Sequence, residues 1–196
     1  MTVFYVRYSG GLAHGEQWVT GLHLTGGGSI DEVDAIVGDA FTAFWTQAGA
    51  DIPDTTTVVS GVTYILDPVT GKATARAEST VSHTGGSSDA PNPNQISVCA
   101  TLRTATPGPK GRGRMYWPGP TVTGLDANGI LQSGIAGDYA DGTSALVAVF
   151  AGSSFDPCLF TPGASNRVIT SVDVSEVPAT QRRRRNKVVA GRIVGS

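Results

Sequence analysis

Cysteine is nearly absent: the 196-residue chain holds two, Cys99 and Cys158. Two cysteines make no disulfide framework, and no C-x-x-C pair exists to begin a zinc or redox site. Each sits in an apolar, strand-like stretch, which suits a buried thiol. A bridge between them would need their Cα atoms within about 7 Å. Charge is also sparse, at 15% of residues with a formal net of −2. That balance argues against a general nucleic-acid coat. No apolar run approaches the ~20 residues of a membrane-spanning helix, so no membrane partner is expected. Met1 to Ser9 shows no basic segment followed by an apolar core, so no export signal is expected there. Catalytic signatures are missing as well. There is no G-x-x-x-x-G-K-[ST] phosphate loop, no G-x-S-x-G elbow and no acid pair spaced as a glycosidase dyad. His14-Gly15-Glu16 lacks the second histidine of a zincin helix, and His23 and His83 stand apart from it. We therefore assign no catalytic residues, metal, cofactor or small-molecule substrate.

Glycine is plentiful, with 26 residues beside 11 prolines. They fall in turn-like clusters without a G-X-Y period, which excludes collagen. Between the clusters, strand patterns recur. Thr2 to Tyr8 alternates β-branched and aromatic residues, and Gln17 to Thr25 follows after Gly10-Gly11. Ser29-Ile30-Asp31-Glu32 then spells a capping box. Ile30, Val33, Val37, Phe41 and Phe44 recur at helical spacing, predicting a helix over about 30–48, with Asp31, Glu32 and Asp34 at its positive end. Thr55 to Leu66 and Lys72 to Val81 predict a hairpin around the turn Asp67-Pro68-Val69-Thr70-Gly71-Lys72. Ser82 to Asn94 has little apolar content and predicts a surface loop. Gln95 to Thr104, Arg114 to Trp117, Cys158 to Phe160 and Arg167 to Val177 complete the strands. Between about 125 and 150, Gly129, Gly134 and Gly137 each cost a helix about 1 kcal/mol, so one or two short, Gly-rich helices are expected. The order predicts an α+β fold, mainly an antiparallel sheet with the 30–48 helix packed on one face.

Lysine is scarce, and the arginines cluster. One basic zone runs through Arg103, Lys110, Arg112 and Arg114. The other is Arg182, Arg183, Arg184 and Arg185, followed by Lys187 and Arg192. Four adjacent guanidiniums repel unless anions are near. They therefore point to phosphate or to the acidic surface of a neighbour. Apolar Val188, Val189, Ile193 and Val194 after the run suggest a docking segment rather than a solvated tail. We divide the chain into a single domain, 1–180, and a basic tail, 181–196. Tyr116 and Trp117, preceded by Arg112 and Arg114, have the makings of a base-stacking element, although short-strand aromatics before Pro118 more often belong to a core edge.

Two stretches carry a family resemblance. One is Ser97-Val98-Cys99-Ala100-Thr101-Leu102-Arg103-Thr104, followed by Gly111-Arg112-Gly113-Arg114-Met115-Tyr116-Trp117-Pro118. The other is Val172-Asp173-Val174, followed by Gln181-Arg182-Arg183-Arg184-Arg185-Asn186-Lys187. Together they resemble a group of small viral proteins, chiefly from bacteriophages, with the match strongest in the C-terminal half. The resemblance implies a non-enzymatic virion structural protein made in the host cytoplasm. Its partners would be copies of itself and other virion proteins, and a capsid-associated place is favoured over a tail component. Arg112, Arg114, Arg182, Arg183, Arg184, Arg185 and Lys187 are then the expected partner or anion contacts. A nucleic-acid-binding module using the Arg-rich tail is the alternative.

Overall fold

The computed structural model describes residues 1–11, 17–49, 56–84, 95–96, 98–105, 114–118, 122–123 and 133–176. In chain order the elements are β1 (Thr2–Gly11), β2 (Gln17–Gly26), α1 (Ile30–Ala48), β3 (Thr56–Leu66), β4 (Ala73–Thr84), β5 (Gln95–Ile96), β6 (Val98–Thr104), β7 (Arg114–Pro118), β8 (Val122–Thr123), α2 (Ser133–Gly152), β9 (Phe155–Leu159) and β10 (Arg167–Glu176). Eight described strands form one sheet in the order β4-β3-β1-β2-β9-β10-β6-β7, while β5 and β8 pair separately. Every neighbouring pair is antiparallel. The fold is α+β, as the sequence pattern predicts.

Alternation decides what lies beneath the helices. Successive strand side chains point to opposite faces, so Phe4, Val6 and Tyr8 of β1 and Leu22 and Leu24 of β2 share one face, and all five are fully buried. Onto them α1 lays Val33, Val37, Ala40, Phe41, Phe44 and Ala48. Each fully buried Val, Leu or Phe among them contributes roughly 1.5–3 kcal/mol. The Tyr8 hydroxyl donates to the Val37 carbonyl at 3.1 Å, and full burial pushes its acidity away from the ordinary tyrosine range. That phenol is therefore a fixed donor tying sheet to helix.

The start of α1 is built locally. The Glu32 amide donates to Ser29 Oγ at 3.2 Å, and the Ser29 amide donates to Glu32 Oε2 at 2.6 Å. Accepting that amide holds the Glu32 carboxyl below its usual range. Ser29→Ala is expected to destabilise the fold by about 1 kcal/mol, read as a lower urea midpoint with unchanged slope. An unshifted midpoint would mean the cap contributes nothing.

The second helix departs from expectation. It is one helix of 20 residues, Ser133–Gly152, rather than one or two short ones. Residues 124–132 of the expected region lie outside the described residues. Tyr139, Thr143, Leu146 and Phe150 line its buried face, and Phe44 meets Tyr139 edge-on with centroids 5.4 Å apart. Gly137 meets open space, whereas Gly142, a further glycine of this helix, has a packing role. A Cβ at that position would stand 2.7 Å from the Phe44 carbonyl oxygen. The bare backbone therefore lets α2 approach α1, and packing offsets the propensity cost.

The 67–72 hairpin turn forms as predicted. Asp67 Oδ1 accepts from the Val69 and Thr70 amides at 3.0 and 2.6 Å, and Gly71 supplies φ 72°. This turn does more than reverse the chain. Gly163, in the loop between β9 and β10, donates its amide to the Pro68 carbonyl at 2.9 Å. Turn and loop thus join on the side away from the helices, spanning the ends of β1 and β2 like a strap.

The cysteines do not pair. Cys158 is buried and free. In the β10 ladders Cys158 stands opposite Val168 and Cys99 opposite Ser175. Seven residues of strand separate those levels by roughly 23 Å, far beyond disulfide reach.

Candidate functional site

The sheet face opposite the helices gathers the most chemistry among the described residues. Register brings one residue from each of six strands into a transverse row. Arg76 faces Tyr64, Tyr64 faces Tyr5, Tyr5 faces His23, His23 faces Cys158 and Cys158 faces Val168. A second row runs Glu78, Val62, Arg7 and Gly21. Cross-strand partners in an antiparallel pair lie only about 4.5–5.5 Å apart, so each row is a continuous band.

The rings of the first row touch. Tyr5 lies 4.8 Å from His23 at 37° and 6.2 Å from Tyr64 at 26°, the latter a stack. Phe160, from the strap, covers His23 at 5.4 Å. Gly21 makes this possible, because a Cβ there would collide with the Tyr5 ring. Tyr5, His23 and Tyr64 are half-buried, and Val19 and Val168 are exposed at 43% and 44% on the same face. The surface is thus aromatic at its centre and aliphatic on its flanks, with the cation Arg7 among the rings and Arg76 at one end.

Burial sets the protonation states. It pushes the His23 imidazole down to about 4. It raises the Tyr5 phenol, an effect that Arg7 opposes and Tyr64 reinforces. The Cys158 thiol is pushed up to about 12 by burial and then by the charge of Asp156. At neutral pH, Cys158 is therefore a thiol and His23 a neutral imidazole. A nucleophilic cysteine needs the opposite shifts, towards thiolate and imidazolium. Burial thus favours the neutral forms of both His23 and Cys158, and the row presents rings and apolar side chains.

A shallow recess lies at the start of α1, lined by Gly27, Gly28, Glu32, Ala35, Ser153, Ser154 and Phe155. Its carboxylate, Glu32, already accepts the Ser29 amide, so the helix end is capped by the chain itself. No group of three or more metal-ligating side chains occurs among the described residues. No described helix is long and apolar enough to cross a membrane.

The residues expected to contact partners are placed only in part. Arg112, Arg182, Arg183, Arg184, Arg185 and Lys187 lie outside the described residues, as does the whole stretch 177–196. Arg114 opens β7 and stands opposite Arg103 in the β6 register. Two cationic positions of the first basic zone thus meet near one sheet edge. Tyr116 and Trp117 follow on β7, opposite Thr101 and Ala100. The aromatic row is only partly legible in the sequence. The alternation of Thr2 to Tyr8 sets Tyr5 and Arg7 on one face, and only the strand order shows what joins them. No protein-family model, curated protein or solved structure matches this chain.

Proposed function

We propose that this chain is a non-enzymatic structural subunit of a bacteriophage particle, a capsid subunit or capsid-associated protein, acting through contacts with copies of itself and other virion proteins. The observation that carries the reading is the one-sided sheet. Helices α1 and α2 cover one face, and the other presents the Tyr64–Tyr5–His23 band with exposed Val19 and Val168. Apolar and aromatic surface of this kind marks contact sites. The C-terminal resemblance to viral proteins supports the same reading. Symmetric assembly multiplies weak contacts of this type.

The test is mass by light scattering across concentration, at low and high salt, with and without nucleic acid. A defined oligomer that ignores added nucleic acid is the expected result. A monomer that gains mass only with nucleic acid, and loses it in salt, would replace this reading with the second one. That second reading, a nucleic-acid-binding module, has its own support in Arg7 and Arg76 beside the stacked Tyr5 and Tyr64. Aromatic platforms flanked by cations hold single strands by stacking and phosphate contact.

A further inference from the structure

We infer that the outer edge of β4 is a self-association surface, and that its occupant is β4 of a second copy running antiparallel about a dyad at Ala77. The inference rests on the subunit reading above and names the partner and the register. Strand β4 ends the sheet, with β3 on one side and no described strand on the other. From Ala75 to Thr84 it pairs with β3 without interruption, and the one register shift lies at the hairpin end. A regular strand at a sheet edge carries unpaired amides and carbonyls, which template the addition of another strand. Ala73, Thr74, Ala75, Arg76 and Glu78 are all exposed. Three of those five are alanine or threonine, so a second backbone can come close.

Charge selects the register. Arg76 and Glu78 lie on the same face and form an ion pair within the strand. Backbone groups facing outward alternate along β4, so two copies can join with the dyad at any residue of this ladder. A dyad at Arg76 would oppose arginine to arginine. A dyad at Glu78 would oppose glutamate to glutamate. A dyad at Ala77 sets Arg76 opposite Glu78 of the second copy, and Glu78 opposite its Arg76. The four charges then alternate around a square, each flanked by its opposite. The dyad stands perpendicular to the sheet, so helix faces and aromatic faces both continue across the join. On the helix side, Ala75 comes opposite Ser79 of the second copy. In the single chain Val37 of α1 packs over Gly61, beside Ser79. The far edge is a poorer candidate, since its register already places Arg114 against Arg103.

The experiment is sedimentation velocity across concentration on the full chain and on R76E, E78R, the double reversal R76E/E78R and the uncharged R76Q/E78Q. Circular dichroism of each variant confirms the fold. Each single reversal puts four like charges in the square and is expected to weaken association about thirtyfold, from two symmetric pairs changing sign. The double reversal restores alternation and is expected to associate like the wild type. The uncharged pair should fall between. A wild-type oligomer left intact by both single reversals would overturn the β4 edge and leave the subunit reading standing. A wild type that stays monomeric at every concentration would overturn both.

Discussion

Phe44→Ala is expected to lower the stability of the fold by about 4 kcal/mol, the largest single effect we anticipate. Phe44 sits where three packing relations meet. It touches Phe41 at 5.6 Å and Tyr139 edge-on at 5.4 Å, and its backbone carbonyl lies close against Gly142 of α2. Truncation removes the transfer energy of a phenyl ring. It also leaves a cavity that cannot collapse, because the two helices are already in backbone contact. Against a typical net stability of about 5–15 kcal/mol, that loss brings the chain near unfolding. Urea denaturation at neutral pH reads it as a large fall in midpoint with little change in slope. A loss below about 1.5 kcal/mol would show that the α1–α2 seam is loosely packed.

His23 carries the second large effect, visible only as pH falls. Burial holds its folded pKa at about 4, against about 6.5 in an unfolded chain. Between those values the unfolded chain binds a proton that the fold refuses, so stability falls as pH drops. The loss begins near pH 6.5 and approaches about 3 kcal/mol near pH 4, below which this group adds no further change. The other titratable groups facing the imidazole are the Tyr5 phenol and the Cys158 thiol. Both are shifted upward by burial and stay neutral across that window. His23→Gln removes the titration. The stability of the wild type relative to the variant should fall steadily from pH 7 to pH 4, by about 3 kcal/mol. Parallel profiles would show that the imidazole is more open to water beneath Phe160 than the ring packing indicates. Glu32 and Asp67, both held below the carboxylate range by hydrogen bonds, lose stabilisation at lower pH in both proteins. They cancel in the difference.

What was legible in the sequence was local. The Ser29–Glu32 box, the apolar spacing of α1 and the Asp67–Gly71 turn all depend on residues within a few positions of each other, and all formed as predicted. The strands were legible by alternation to within a few residues. The length of α2 is not legible from Gly134 and Gly137, because the packing that offsets their cost, such as Tyr139 against Phe44, comes from α1, nearly a hundred positions away. The candidate site was hidden for the same reason. Tyr5, His23 and Tyr64 come from three strands, and Phe160 arrives from a loop far along the chain. Pattern shows that Tyr5 and Arg7 share a face. It does not show that β2 and β3 flank them, or which face the helices take. Conversely, the most conspicuous sequence feature, Arg182 to Arg185, belongs to no described element.

The place of β9 in the sheet has a consequence for biosynthesis. β1, β2, α1, β3 and β4 are contiguous in the chain and adjacent in space. They can therefore assemble on the ribosome as soon as they emerge. Gly26 of β2 must wait for Phe155 of β9, which at about 5–20 residues per second is a delay of some ten seconds. During most of that interval the nascent chain carries β2, with its Leu22 and Leu24, as a bare edge, and α2 is completed only just before β9. On a polysome many such edges stand close together. Their mutual capture competes with the arrival of β9, and slower translation before residue 155 would lengthen the exposure.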